Sequence, residues 1–222
     1  MTRTRLFLVR HGATNMTAED RFSGDAGAEL SDEGRAQAAR LALRLASEQI
    51  CAIYASPLTR AMDTARIVAG TSGLTPTAVD GLREISHGHW EGRRRQDVEE
   101  QFASEYAMWE EDPFTFAPDG GESGVAVLAR ALPALRRIIA AHQGERILVV
   151  SHKATIRLVL SSLLGIEGRG YRDRLDQAPA CLNILDFKDA VRCRLMLFND
   201  TSHYHTSPAP GPSGQHLSKW WE

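Results

Sequence analysis

Residues 6–12 read Leu-Phe-Leu-Val-Arg-His-Gly, four apolar residues followed at once by two basic ones. A short apolar run without alternation is typical of a strand that is buried on both faces of a sheet. Residues 147–152 read Ile-Leu-Val-Val-Ser-His, again four apolar residues followed by two polar ones. Each stretch therefore predicts a buried strand with polar side chains directly after its carboxyl end.

Strands and helices alternate along the rest of the chain. Apolar spacing predicts a helix that opens at Ser31, a strand over residues 50–55, and a helix with Pro57 in its first turn that runs to about Gly70. Further predicted elements are a short strand around Val79, a helix through Ile156 that ends near Gly165, and late strands over residues 181–187 and 195–198. The alternation predicts an α/β fold, a three-layer α/β/α sandwich with a mostly parallel central sheet.

The segment over residues 92–124 interrupts this alternation. It is rich in charged and aromatic residues, and we predict a small helical insertion that forms a lid over the neighbouring surface. The helix after Ser123 contains Pro133, which predicts a kink or a break. We assign residues 1–206 to a single domain and the Pro-, Gly- and Ser-rich residues 207–222 to a flexible tail.

The charged runs of the insertion are expected to face solvent and do not require a functional explanation. Residues 93–95 are three arginines, but the acidic residues after them favour a solvated helix face over a nucleic-acid patch. The acidic residues 110–112 are expected to face water, and Glu122 to lie near the mouth of a pocket. The aromatic side chains are expected to pack against the main sheet, with one or two of them in contact with substrate.

Composition limits the partners of the chain. Its 222 residues are 43% hydrophobic and 24% charged, with a net charge of -2, so no general attraction to nucleic acid or to a membrane surface is expected. The apolar run before Arg10 is too short for a signal peptide or a membrane span. Cys51 and Cys181 lie in apolar runs, where buried thiols are expected, and Cys193 completes an odd number. We therefore predict a reducing, cytoplasmic location.

Four segments place polar side chains directly after predicted strands. In a parallel α/β sheet the carboxyl ends of the strands meet at one edge, and ligands bind there. The four segments are residues 10–12, 56–60, 83–84 and 151–152. We expect them to converge on one site.

The side chains of these segments suit the chemistry of a phosphate monoester. Arg10 and Arg60 offer planar donor groups that match phosphoryl oxygens, and His152 adds a further donor. The neutral imidazole of His11 is a suitable nucleophile. A carboxylic acid such as Glu84 can protonate the leaving group. This set is chemically complete without a metal ion or a cofactor.

Four longer strings carry a family resemblance: LVRHGAT at residues 8–14, SPLTRA at 56–61, LREISHGHWEG at 82–92 and VSHK at 150–153. In this order they resemble the histidine phosphatase superfamily, also called the phosphoglycerate-mutase-like superfamily. A single Arg-His-Gly is a weak motif, but four ordered motifs over most of the chain are highly specific.

The resemblance implies a role for each residue of the set. His11 would be the phosphorylated nucleophile, and Glu84 the proton donor and then the base. Arg10, Arg60 and His152 would be phosphate ligands. The implied activity is hydrolysis of a small phosphorylated metabolite.

Further residues are assigned to substrate binding by the same resemblance. Thr14 belongs to the first motif, and Ser23 and Gly24 are implied to line the substrate mouth. Thr17 stands where family members often have Asn, a change that alters one phosphate hydrogen bond. Lys153 stands where small residues are usual, and it either binds a second anionic group of the substrate or points into solvent.

His87 and His89 have a spacing that would allow both to bind a metal ion from one strand. No third ligand stands near them in the sequence. Contact with substrate is therefore our interpretation for His87, and we predict no metal site.

Two other functions stay open. In mutases that resemble this family the segment after the acid is longer, whereas residues 82–92 look like the compact phosphatase version, so hydrolysis is favoured. A phospho-ligand binding module without catalysis would be expected to lack His11 or Glu84, and both are present. The predicted partner is a small phosphorylated substrate, with neither nucleic acid nor membrane, and a homodimer is left open.

Overall fold

The computed structural model describes residues 3–16, 21–24, 27–70 and 72–205. Thr17 and the predicted tail, residues 207–222, lie outside these ranges. The strands of the described residues are β1 Thr4–Arg10, β2 Ala52–Ala55, β3 Thr77–Ala78, β4 Arg146–Ser151, β5 Leu182–Phe187 and β6 Cys193–Asp200.

The six strands form one sheet in the order β3-β2-β4-β1-β5-β6. The strands from β3 to β1 run parallel to one another, whereas β5 is antiparallel to both β1 and β6. The two apolar stretches that predicted central strands are β1 and β4, which pair from Arg5 with Arg146 to Arg10 with Ser151. The prediction of an α/β fold with a mostly parallel sheet is confirmed.

The helices of the described residues are α1 Asp32–Leu45, α2 Thr59–Ala69, α3 Arg95–Gln101, α4 Ala103–Glu111, α5 Gly124–Ala141, α6 Lys153–Leu164 and α7 Tyr171–Arg174. Ser31 caps α1 as predicted, since its hydroxyl accepts a hydrogen bond from the amide of Gly34. Pro57 is not in the first turn of α2, because Leu58 is the N-cap. Pro133 does not split α5, which continues through it and buries residues on both sides, among them Ala131 and Leu135.

Helices cover both faces of the sheet because neighbouring residues of a buried strand point to opposite faces. Leu6 and Leu8 of β1 belong to a core cluster that includes residues of α5 and α6. Phe7 and Val9 belong to a second cluster that includes residues of α1 and α2. These two clusters form the layers that the sequence predicted.

Most aromatic residues of the insertion form a core of their own, whereas Phe114 packs against a cluster that includes residues of α5, α6 and α7. The expectation that they pack against the main sheet is wrong, because they bury one another together with an aromatic side chain from the segment before α1 and one from the turn before α3. The members of this aromatic cluster are Phe22, Trp90, Val98, Tyr106 and Trp109, with Phe102 and Phe116 partly buried against them.

Two charged residues of the insertion are not solvated as predicted. The guanidinium of Arg95 lies 5.2 Å from the ring centre of Phe22 and 5.3 Å from that of Trp109. Glu110 is buried and accepts a hydrogen bond from Arg172 at 2.9 Å. Cation–π contacts and an ion pair offset the cost of removing these charges from water. Arg93 and Arg94 are exposed, as expected.

The cysteines are unpaired, but only one of the two predicted buried thiols is buried. Cys181 is buried at the start of β5, whereas Cys51, at the start of β2, is exposed. Cys51 precedes the first residue of its strand, so the apolar run around it does not enclose its side chain. No helix within the described ranges combines the length and the apolar character that crossing a membrane requires.

Candidate active site

The polar segments that follow the strands meet at the carboxyl edge of the sheet. The amide of His11 donates to the carbonyl of Ser151 at 3.0 Å, and the ring centres of His11 and His152 are 5.1 Å apart. The segment after β3 reaches the same edge, because the hydroxyl of Ser151 donates to the carbonyl of Leu82 at 2.8 Å. The amide of Ser56, after β2, donates to the carbonyl of Val150 in the neighbouring strand β4 at 3.0 Å.

His11 is buried with its two ring nitrogens in different environments. Nδ1 lies 2.7 Å from the carbonyl oxygen of Gly12, which can only accept, so Nδ1 carries the hydrogen. Nε2 accepts a hydrogen bond from Nε of Arg60 at 3.3 Å. Burial, followed by the charges of Arg10 and Arg60, holds the pKa of His11 well below its usual 6.5. The imidazole is therefore neutral, and its lone pair is on Nε2.

Two further buried side chains, those of Arg10 and His152, lie near His11. Arg10 donates to the carbonyl of Gln177 at 2.7 Å, but its Nε has no hydrogen-bond partner among the described residues. Neither ring nitrogen of His152 has a partner within the same ranges, and its side chain is fully buried. Burial, then the charge of Arg60, keeps the pKa of His152 well below its usual value. Buried donors without partners are costly in a folded protein, and an anion that binds beside His11 would accept from the N–H of Arg10 and from the protonated ring nitrogen of His152.

Ser23 and Gly24, which were predicted to line the substrate mouth, hold Arg60. Its Nη2 donates to the carbonyl of Gly24 at 2.6 Å and to that of Ser23 at 3.4 Å. The amide of Gly24 is in turn bound by a carboxylate oxygen of Glu91 at 2.8 Å, and the other oxygen of Glu91 binds the amide of His87. A Cβ at residue 24 would lie 2.1 Å from the Glu91 carboxylate and 2.3 Å from a backbone carbonyl, so the close approach requires glycine.

Glu84 lies at the amino end of α6. Its carboxylate accepts hydrogen bonds from the amides of Ile85, Ala154 and Thr155 at 3.0 to 3.2 Å, and one from the hydroxyl of Thr155 at 3.2 Å. Two of these amides belong to the first turn of α6, where backbone N–H groups have no partner within the helix and are available to a side chain. The carboxyl group is therefore fixed in one position on the same edge as His11 and His152.

The backbone around Glu84 is held by Arg130 of α5. One guanidinium donates to the carbonyls of Gly81, Arg83 and Glu84 at 2.9 to 3.1 Å. The same group forms an ion pair with Glu122 at 2.8 Å. Glu122 also accepts the amide of Ser86, so its carboxylate is part of this framework rather than a free group at the pocket mouth.

Lys153 forms an ion pair instead of pointing freely into solvent. Its Nζ lies 3.5 Å from a carboxylate oxygen of Asp176, and its side chain is 27% exposed. The same oxygen of Asp176 accepts a hydrogen bond from Arg157 at 3.0 Å. Burial, then the charges of Arg157 and Arg10, lowers the pKa of Lys153 to about 7. A cation whose pKa is about 7 therefore lies close to Arg10.

His87 and His89 are not on a strand. His87 precedes a 3-10 turn over Gly88–Trp90, where its ring packs edge-on against Phe22 at 4.8 Å. His89 binds elsewhere, with Nε2 3.3 Å from the carboxylate of Glu105. The strand geometry on which a shared metal ion depends is therefore absent. His87 does lie next to Gly24, since both amides bind Glu91.

Thr14 and several residues that no sequence motif marked lie next to the site. Thr14 is buried, and its backbone forms an isolated bridge with Leu30. Behind Arg10, the amide group of Gln177 hydrogen-bonds to Asn183 at 2.7 and 3.0 Å. Sequence reasoning missed Gln177, Asn183, Glu91 and Arg130, because each of them holds backbone or side-chain groups that become neighbours only in the fold.

Comparison with known proteins identifies the family of this chain. The sequence model described as histidine phosphatase superfamily (branch 1) matches residues 6–201. Phosphoserine phosphatase 1 of Hydrogenobacter thermophilus is 33% identical over 73% of this chain and 77% of its own length. Phosphoglycerate mutase-like protein 4 of Arabidopsis thaliana is 39% identical over 89% of this chain and 86% of its own length.

Solved structures resemble this fold over most of the chain. A mycobacterial glucosyl-3-phosphoglycerate phosphatase in complex with VO3 has a TM-score of 0.79 at 30% identity, and the match covers 88% of this chain and 98% of that one. These matches confirm the family and the phosphatase type of enzyme that the four motifs predicted. The chain belongs to the histidine phosphatase superfamily, branch 1.

Proposed function

We propose that the chain hydrolyses a small phosphorylated metabolite through a covalent phosphohistidine on His11. One observation carries the proposal: Nε2 of His11 keeps its lone pair while it faces a buried guanidinium. A neutral nucleophile among fixed cations suits attack on an anionic phosphoryl group, because the cations neutralise its charge and the lone pair needs no deprotonation.

In the first step, Nε2 of His11 forms a bond to phosphorus while the bond from phosphorus to the leaving oxygen breaks. Arg10, Arg60 and His152 bind the other phosphoryl oxygens. The leaving oxygen takes a proton from Glu84, which is fixed at the first turn of α6. The alcohol leaves, and the phosphoryl group stays on His11.

In the second step, water attacks the phosphorus and the bond to Nε2 breaks. Glu84, now ionised, takes a proton from the attacking water, which restores the acid for the next cycle. The product is inorganic phosphate, and His11 returns to its neutral form. Neither step requires a metal ion.

The test is to trap the intermediate. Wild-type protein mixed with a ³²P-labelled ester and quenched in alkali should carry label that is stable to base and released by acid. His11→Ala should carry none and lose at least about 10³-fold in kcat. The exposed His205 provides a matched control, and His205→Ala should behave like wild type. Turnover by His11→Ala at the wild-type rate would refute the proposal.

Transfer to a second hydroxyl is the other candidate activity, because one of the relatives is named phosphoglycerate mutase-like. A mutase must shield the phosphohistidine from water until the substrate has reoriented. Measuring free phosphate and isomerised ester in the same reaction separates the two activities. Hydrolysis predicts free phosphate in proportion to substrate consumed.

A further inference from the structure

A second cluster of reactive side chains lies at the opposite edge of the sheet. Cys51 precedes β2, while His142 and Glu145 stand in the turn between α5 and β4. These are the amino ends of strands whose carboxyl ends carry the candidate active site. One ligand atom from each residue lies within 4.8 Å of the other two, and no other group of three potential metal ligands meets that condition in the described part of the chain.

The distances between the three ligand atoms of the cluster are close to those between the ligand atoms of a bound zinc ion. Sγ of Cys51 is 3.1 Å from Oε2 of Glu145 and 3.9 Å from Nδ1 of His142, and the last two atoms are 2.6 Å apart. Tetrahedral Zn²⁺ with ordinary bond lengths separates such ligand atoms by about 3.3 to 3.6 Å. Movements of about 0.7 Å or less are sufficient, and the side chain of Glu145 is 51% exposed on a turn.

The turn that carries two of the ligands is fixed by Thr4 of β1. The Thr4 hydroxyl donates to the carbonyl of His142 at 2.9 Å and accepts the amide of Gly144 at 3.0 Å. On the far side of the imidazole, Nε2 of His142 lies 2.8 Å from the hydroxyl of Tyr54. A histidine that binds a metal through one nitrogen usually uses the other in such a hydrogen bond, which fixes its tautomer and orientation.

We propose that Cys51, His142 and Glu145 bind Zn²⁺, with water as the fourth ligand. Thiolate, imidazole and carboxylate together are ligand types that zinc accepts, whereas Mg²⁺ and Ca²⁺ prefer oxygen alone. On binding, the thiol of Cys51 loses its proton to solvent and sulfur bonds to the metal, while the hydrogen of His142 is carried by Nε2, which faces Tyr54, so that the lone pair of Nδ1 bonds to the metal. The ion would connect the start of β2 to the α5–β4 turn and stabilise that end of the sheet.

Titration of the full chain, free of any affinity tag, with Co²⁺ tests the proposal. Wild type should develop a thiolate-to-cobalt charge-transfer band and the visible bands of four-coordinate cobalt, and added Zn²⁺ should remove both. Cys51→Ser should lose the charge-transfer band, whereas Cys193→Ser, at a half-buried thiol elsewhere, should keep it. His142→Ala and Glu145→Gln should bind at least about 10-fold more weakly, and Tyr54→Phe by a factor of about 10.

Hydrolysis of p-nitrophenyl phosphate gives an independent measurement of folding. Cys51→Ser should keep wild-type turnover, because its side chain is at the other edge of the sheet from His11. A wild-type protein without the charge-transfer band, or a Cys51→Ser protein that retains it, would overturn the proposal. In that case the three side chains are a hydrogen-bonded group and nothing more.

Discussion

Nε of Arg60 donates a hydrogen bond to Nε2 of His11 over 3.3 Å, so a permanent cation occupies the lone pair that the proposed reaction needs. The contact is compatible only with a neutral His11 whose hydrogen is on Nδ1. A phosphoryl group that enters the site must therefore replace this hydrogen bond: one of its oxygens accepts from Arg60, and its phosphorus faces the lone pair of His11. Arg60 then becomes a ligand of the group that His11 attacks.

Arg60→Met is expected to shift the acid limb of the pH–rate profile to higher pH. Arg60 is one of the cations that lower the pKa of His11, so its loss raises that pKa towards 6.5 and leaves more of the nucleophile protonated in mild acid. We also expect kcat to fall about 10²- to 10³-fold, because a phosphate ligand is lost. The measurement is kcat/KM for p-nitrophenyl phosphate as a function of pH, from about pH 4 to pH 8.

The profile of Arg60→Met is best expressed as its ratio to wild type, because the ionisation of the ester then cancels. Arg66, 64% exposed on the same helix, provides the control, and Arg66→Met should leave the profile unchanged. An acid limb at the same pH in Arg60→Met and wild type would show that Arg60 does not control the charge of His11.

Arg130→Met is expected to lower kcat about 100-fold with little change in KM. Arg130 contacts the carbonyls that position Glu84, and a displacement of about 1 Å at a proton donor costs roughly this factor. Steady-state kinetics measure the change, with Arg137→Met as the control on the exposed face of the same helix.

A double variant separates positioning from a general loss of structure. If Arg130 acts through Glu84, then Arg130→Met should add little to the defect of Glu84→Gln, since effects within one unit are not additive. Full additivity of the two defects would mean that Arg130 acts independently of Glu84.

Lys153→Gln is expected to raise KM for esters that carry a second anionic group, such as phosphoserine, by roughly 10-fold. KM for p-nitrophenyl phosphate should be unchanged. The pKa of Lys153 is about 7, so its charge is present below that pH and lost above it. Affinity for the second anion should therefore decrease as pH rises through neutrality in wild type.

Lys153→Arg provides the matched test for this residue, because its charge does not titrate in this range. Its preference for phosphoserine over p-nitrophenyl phosphate should stay constant between about pH 6 and pH 8. Equal effects of Lys153→Gln on both esters would place Lys153 outside the substrate-binding surface.

The central strands and the residues that follow them were predictable because both are local properties. Four apolar residues in a row mark β1, and the rule that parallel strands end at one edge brings Arg10 and His11 towards Glu84. Arg95 and Glu110 were wrongly predicted to face water, because exposure was inferred from the local run of charges. The buried partner of Glu110 is Arg172, 62 residues further along the chain.

The residues that hold the site in position had no sequence signal for a different reason. Arg130 donates to backbone carbonyls, and Gln177 accepts a hydrogen bond from Arg10 with its own backbone carbonyl. Every residue possesses such a carbonyl, so no particular residue type marks these contacts in the sequence. Cys51 shows the reverse error: an apolar run predicted burial, but the chain turns at the start of β2 and leaves the thiol outside.

Gly34→Ala is expected to destabilise the protein, although Ala is the better helix former by about 1 kcal/mol. Gly34 lies in the first turn of α1, which packs on the loop that carries His11. A Cβ there would lie 2.1 Å from the carbonyl oxygen of Ala13, and one on Gly12 would lie 2.4 Å from the carbonyl oxygen of Gly34. Both contacts are with backbone, so the helix and the loop must separate. We expect a loss of about 1 to 3 kcal/mol in the free energy of unfolding and a lower kcat. Thermal unfolding of Gly34→Ala and of Gly27→Ala measures the effect. Gly27→Ala is the control, because a Cβ added there meets nothing within 4 Å. A higher melting temperature in Gly34→Ala would mean that helix propensity prevails and that the close approach does not fix His11.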